Sequence, residues 1–122
     1  MKKLLQIVLV SSLSLMCFSC YYDEMPEELV KIPEVPDTQV VSFGTDIQAI
    51  FTAENCMQCH NANRDPDLRE GNAYAALVPN FVTANDADAS SLFVKLVDGH
   101  RSVSTDKLAL IKAWINQGAK DN

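Results

Sequence analysis

Cys56-Met57-Gln58-Cys59-His60 is the stretch on which the reading of this chain turns. Two thiols three residues apart can each bond one vinyl group of a single porphyrin, and the histidine that follows is placed to bring its imidazole to the iron. The spacing is that of c-type haem attachment. Cys-x-x-Cys also occurs in thioredoxin-like redox centres and in zinc sites. The redox pair requires a βαβ setting that the surrounding sequence lacks. Zinc would have to recruit Cys56, Cys59, His60 and His100, and the adjacent Cys59 and His60 cannot easily meet one tetrahedral ion. One covalent haem per chain is therefore expected, bonded to Cys56 and Cys59, with His60 as an axial ligand of the iron.

Upstream of the motif, Ile47, Ile50 and Phe51, with Ala49 and Ala53 between them, predict a helix that Thr45 or Asp46 can cap. This helix delivers the chain to the motif, and His60 is expected in a following turn or short helix. Asn61 to Pro66 reads as a polar loop. Asp67 to Gly71 leads into a short helical stretch, Asn72 to Leu77, ended by Pro79. Ala84 to Asp88 is another polar turn, after which Ser90 or Asp88 caps a helix through Leu92, Phe93, Leu96 and Val97. Gly99 to Val103 is a loop. Ser104 or Thr105 then caps the last helix, which carries Leu108, Ile111, Trp114 and Ile115 on one face and ends at Gly118. There is no internal repeat and no convincing strand pair. The expected fold is all-α, about four short helices and loops wrapped around the haem over residues 43–122. A unit of about 80 residues is marginal on its own apolar core, so the haem is expected to be structural as well as functional.

Toward the N-terminus, Lys2 and Lys3 precede the apolar run Leu4-Leu5-Gln6-Ile7-Val8-Leu9-Val10, which continues past several serines to Cys17 and Cys20. A basic start, a short apolar stretch and a small residue before a cysteine read as a secretory signal over residues 1–19. The run is too short and too broken by serines for a transmembrane anchor. From Tyr21 to Ser42, six acids stand against one base among Pro26, Pro33 and Pro36, with no sustained apolar period. This stretch reads as an extended, self-repelling tether, about 25 Å end to end if flexible. Tyr21, Tyr22, Leu29, Val30 and Ile32 are the residues that could instead pack on the domain. The tether supplies −5 of the formal net charge of −6, and no basic cluster is present, which argues against nucleic acid as a partner.

The end of the signal resembles the lipobox of bacterial lipoproteins, which implies that Cys20, behind the small Ser19, carries lipid and opens the mature chain, residues 20–42 being its tether. Cys17 is the alternative, and as the residue at −3 it departs from the usual leucine. The four cysteines are then all accounted for: Cys17 leaves with the signal, Cys20 carries lipid, and Cys56 and Cys59 hold haem, with none left for a disulfide. Residues 43–122 resemble a small class I-like cytochrome c domain of the type found on lipoproteins of Bacteroidetes-like bacteria. The resemblance rests on Cys56 to His60, the preceding helix with Phe51, Pro66-Asp67-Leu68 to Tyr74-Ala75-Ala76-Leu77, and the closing Leu110 to Ala119. It implies that the first and last helices cross, with Trp114 packed on Ile47 and Phe51. The second ring nitrogen of His60 is expected to donate to a backbone carbonyl or carboxylate, for which the Asn63–Asp67 loop is a candidate source, the resemblance pointing to the Pro66 carbonyl within it. The family places a methionine shortly before the last helix as sixth iron ligand, and here the chain departs from it. Its methionines are Met1 and Met16 in the signal, Met25 in the tether, and Met57, pinned between the two haem cysteines. His100 falls where the family's methionine would be. It is also the only strong neutral-nitrogen ligand left, since the chain has two histidines. Bis-histidine ligation by His60 and His100 is expected, with a lower potential than a Met/His haem.

The resemblance implies one-electron transfer outside the cytoplasm. The domain would sit in the periplasm or at the cell surface, held on a membrane, the outer one by analogy, through lipid on Cys20. Asp23 and Glu24 just after that cysteine resemble surface-export signals of such lipoproteins. The sequence names no redox partner protein. Six-coordinate iron suits a carrier, because its coordination need not change between Fe(II) and Fe(III). The lack of a nucleophile–base pair, or of a second histidine near an open iron face, argues against a hydrolase or a well-built peroxidase. The alternative class is a haem-based sensor that binds a small ligand where His100 leaves the iron open or leaves it readily. Tyr74, Phe81, Phe93 and Trp114 read as core, and Arg64, Arg69 and Arg101 as solvated charges rather than propionate partners.

Overall fold

The computed structural model describes residues 31–122, with Lys3 alone ahead of them. The signal, the lipidation candidates Cys20 and Cys17, and the first part of the tether lie outside the described residues. The first helical run starts at Ser42, whose hydroxyl accepts from the Thr45 N–H at 3.3 Å. In return, Asp46 Oδ2 accepts the Ser42 N–H at 2.8 Å, a reciprocal cap. The cap was expected at Thr45 or Asp46. It lies earlier because Phe43–Ile47 form a wide π-helical turn, which brings the Asp46 carboxylate back over Ser42 from inside the helix. The run continues directly as α1, Gln48–Ala53. A 3-10 turn covers Cys56–Gln58, followed by α2 (Ala73–Leu77), α3 (Ser91–Val97) and α4 (Thr105–Asn116). Among the described residues there is no strand, only an isolated bridge between Thr83 and Asp86. The fold is all-α.

All four predicted helical stretches are present, three of them where apolar residues recur at helical spacing, and their inward positions are closed off from solvent. Ile47, Leu77, Ile111 and Ile115 have no measurable exposure, 0% each. The packing between the first run and the last helix differs from expectation in its central residue. The Trp114 ring centre lies 5.2 Å from that of Phe43, which also meets Tyr74 at 5.3 Å and Phe51 at 6.5 Å. Phe43 is thus the hub of the aromatic cluster, and Trp114 makes its ring contact with it rather than with Phe51. Phe43 stands at helical spacing from Ile47, Ile50 and Phe51, but a cap placed at Thr45 or Asp46 leaves it outside the predicted helix, which is why its part in the cluster was not legible.

The folded unit also begins before Phe43. Ile32 and Val35 pack against the core, and Val41 is 2% exposed within it. The Gln117 side chain holds this extended strap from both sides, accepting from Val41 N–H at 2.9 Å and donating to the Gln39 carbonyl at 2.8 Å. Next to it, Asn122 receives three bonds: its backbone oxygen accepts from Ser42 Oγ at 2.6 Å and Gly44 N–H at 2.9 Å, and its side-chain oxygen from Phe43 N–H at 3.0 Å. A cavity of about 240 Å³ lies under the strap, lined by Asp37, Val41, Trp114, Gln117 and Lys120 among others. It includes none of the cysteines or histidines singled out from the sequence.

Candidate functional site

The C-terminal end of α1 aims the chain into the motif. Asn55 adopts the left-handed conformation, φ 54°, which asparagine tolerates because its short side chain bonds locally. The chain reverses there into the Cys56–Gln58 turn. The Cys56 carbonyl then accepts from both Cys59 N–H at 3.2 Å and His60 N–H at 2.9 Å, which closes the motif into one turn. Asn61 Nδ2 closes the turn from the far side, reaching the carbonyls of Met57 at 3.4 Å and Gln58 at 3.3 Å. Cys56 and His60 are half-buried and Cys59 is exposed, and both cysteines are free thiols.

His100 is delivered by the end of α3. Gly99 takes φ +80°, its N–H bonding the Leu96 carbonyl at 3.1 Å while the His100 N–H bonds that of Lys95 at 3.0 Å. These two bonds form a Schellman motif, which satisfies the last carbonyls of the helix and requires the left-handed residue. A Cβ at Gly99 would meet nothing within 4 Å, so substitution there costs backbone conformation alone. Gly99→Ala is expected to destabilise the domain by about 1 kcal/mol in urea titration, with Gly71→Ala (φ +82°, open space) as a like-for-like control away from the helix end.

The two histidines meet. Their ring centres are 6.0 Å apart, with an interplanar angle of 63°. Around them, Glu54 at the end of α1 receives the Lys107 ammonium at 2.5 Å, tying the start of α4 to the helix that leads into the motif. Burial pushes the Cys56 thiol up; the Arg101 guanidinium, in the loop beside His100, pulls the other way, and Glu54 adds to the rise. The attacking thiol of a Cys-x-x-Cys redox pair has its pKa lowered, so this environment runs against the thioredoxin-like alternative. Among the described residues, no three His, Cys, Asp or Glu side chains gather as they would around a metal ion held by such groups.

One expected contact is absent. His60 Nδ1 is buried with no hydrogen-bond partner, so neither Pro66 nor another residue of the Asn63–Asp67 loop accepts from it. The loop returns instead to the main chain of the histidine, where Leu68 N–H donates to the His60 carbonyl at 3.1 Å. At the loop's far end, Asp67 receives Arg69 Nε at 2.9 Å and Nη2 at 2.7 Å, and Asn72 Nδ2 at 3.0 Å. The bonds from Arg69, foremost among these, hold the Asp67 carboxyl down to about 2. A depressed carboxylate stabilises the fold above its ordinary pKa, and the contribution is lost as pH falls through the lowered value. The melting temperature of Asp67→Asn should thus sit slightly below that of the unaltered chain at neutral pH. That gap should close between about pH 4 and pH 2.

Of the residues predicted for the site, His60 and His100 come together, Cys56 and Cys59 share the turn that leads into His60, and Met57 is half-buried against the core. Asn55 and the Glu54–Lys107 pair were not anticipated. A left-handed asparagine at a helix end and a pairing 53 residues apart leave no periodic trace. No family model matches the chain, and no relative is found among curated proteins or solved structures.

Proposed function

We propose that the chain is a mono-haem c-type cytochrome domain that carries single electrons, bonded to haem through Cys56 and Cys59, with His60 and His100 as axial ligands. The observation that carries this reading is the meeting of the chain's only two histidines, 40 residues apart in sequence, at 6.0 Å, one of them directly following the second cysteine of the motif. Two imidazole nitrogens each about 2.0 Å from one metal ion put the ring centres roughly 6 Å apart. The spacing therefore suits one iron between the two rings. With Nδ1 enclosed, His60 has Nε2 to offer. Val94 and Val97, 40% and 37% exposed on the turns of α3 just before His100, supply apolar surface for a macrocycle to cover. These features fit the cofactor that the motif implies.

When bound, the haem iron supplies a one-electron Fe(III)/Fe(II) couple, filled and emptied by a redox partner protein. Cys56 and Cys59 would hold the porphyrin covalently through their sulfur atoms. His60 and His100 would each offer the iron an imidazole nitrogen, and two nitrogens without a thioether would give a lower potential than a Met/His haem. The α1 helix, the Glu54–Lys107 pair and the end of α3 hold these ligands on separate elements tied together. The N-terminal sequence supports an extracytoplasmic location on a lipid anchor at Cys20. The exposure of His100 favours a second reading, a sensor in which a small ligand displaces it. Rapid carbon monoxide binding by the reduced protein distinguishes the sensor from the carrier.

The experiment is expression with a cytochrome c maturation system, followed by a pyridine haemochrome and a ferric spectrum. The expected result is one haem per chain that resists extraction by acidified ketone, with a low-spin ferric spectrum. Haem that extracts, or none at all, overturns the proposal.

A further inference from the structure

Gln48 is a polar residue in an apolar place. It opens α1, is 8% exposed, and lies in line with the buried Ile47, Ile50 and Phe51. Enclosing a carboxamide is unfavourable unless it is hydrogen-bonded, and Gln48 Nε2 donates to the Leu68 carbonyl at 3.0 Å, a buried bond. Leu68, itself 4% exposed, in turn gives its N–H to the His60 carbonyl at 3.1 Å. Two bonds in series thus run from α1 through Leu68 to the histidine of the motif. Between their ends, Ala62, Asn63, Arg64 and Asp65 are exposed.

A metal-bound histidine is ordinarily oriented by a hydrogen bond at its second ring nitrogen. Here that nitrogen is buried and has no partner. Orientation must come from the main chain, which is held by Cys56 on the N-terminal side of His60 and by Leu68 on the C-terminal side. We infer that Gln48 is a positioning residue for His60, acting by clamping Leu68; the inference rests on the haem reading above. An apolar side chain of the same length would fill the space but leave the Leu68 carbonyl buried and unpaired, the costly way to lose a hydrogen bond. The loop would then shift to satisfy it, and the imidazole would move with the loop.

The test compares the haem-bearing protein with its Gln48→Met and Gln48→Glu variants. Methionine keeps the length and the apolar contacts without the donor. Glutamate lacks a donor when ionised and regains one when protonated. All three proteins are expected to hold one covalent haem by pyridine haemochrome. In Gln48→Met the ferric low-spin electron paramagnetic resonance signal should shift or split as the His60 ring takes other orientations. The Leu68 amide of the reduced, diamagnetic protein should exchange at least about tenfold faster. Gln48→Glu should show the same signal change at neutral pH and revert toward the unaltered signal in acid, which a purely space-filling role would not produce. If Gln48→Met fails to accumulate, that pH reversal decides alone. Unchanged resonance and unchanged Leu68 exchange in the variants overturn the role of Gln48 while leaving the haem reading intact. An unaltered chain that takes up no covalent haem overturns both.

Discussion

His100→Ala is expected to convert the ferric haem protein from six-coordinate low-spin to high-spin while both thioether bonds remain. The side chain to be removed is exposed and belongs to no core contact, and its backbone is fixed by the Gly99 helix end rather than by the ring. Folding should therefore be nearly untouched, and the whole effect should fall on the iron. Loss of the sixth ligand also opens a coordination position, so the reduced variant should bind carbon monoxide without waiting for a histidine to leave. His100→Met is the complementary change. It should restore low-spin haem and raise the midpoint potential by on the order of a hundred millivolts, within the roughly 0.8 V over which axial ligands set haem potentials. An unchanged low-spin ferric spectrum in His100→Ala would remove this residue from the iron and leave the distal position to another group.

Trp114→Ala should cause the largest loss of stability. The indole is 1% exposed, its ring centre is 5.2 Å from Phe43, and its Nε1 donates to the Lys120 carbonyl at 2.9 Å. Truncating a buried aromatic to alanine costs about 3–5 kcal/mol, a large share of the roughly 5–15 kcal/mol that holds a small domain folded. The melting temperature should drop by on the order of 15 °C or more. Circular dichroism is the measurement to use, since the variant removes the chain's single tryptophan. Trp114→Phe keeps most of the burial and loses the N–H bond, so its cost should be about 1–2 kcal/mol. An alanine variant within 1 kcal/mol of the unaltered chain would mean that Phe43 finds another partner in the core.

How far the fold could be read from the sequence depended on what each element repeats. α1, α3 and α4 show themselves because Ile47–Ile50–Phe51, Leu92–Phe93–Leu96 and Leu108–Ile111–Trp114–Ile115 recur at helical spacing. Ser90 marks the start of α3 correctly but for another reason than capping. Its buried hydroxyl accepts from Thr83 N–H at 2.9 Å and donates to the Asp86 carbonyl at 2.7 Å, joining the preceding turn to the helix. The strap from Ile32 to Val41 was read as tether because extended chain held by one glutamine has no period to detect. The site divides in the same way. Cys56, Cys59 and His60 are legible as one contiguous motif, whereas the approach of His100 depends on the Gly99 turn and on the packing of α3 against α4. Its candidacy from sequence came from its place before the last helix and from the lack of a suitable methionine. Gln48 was invisible for a related reason, since a lone amide on an apolar helix face announces nothing until its acceptor is known.

The grip of Gln117 and Asn122 on residues 39–44 has a mechanical consequence. Tension entering the domain along the strap is met by a row of bonds to Gln117 and Asn122, at and beyond the C-terminal end of α4. The Glu54–Lys107 pair beside the motif belongs to the opposite end of that 12-residue helix, about 15 Å from Gln117 along its axis. The bonds that meet such a pull are thus separated from the pair beside the motif by most of the length of α4.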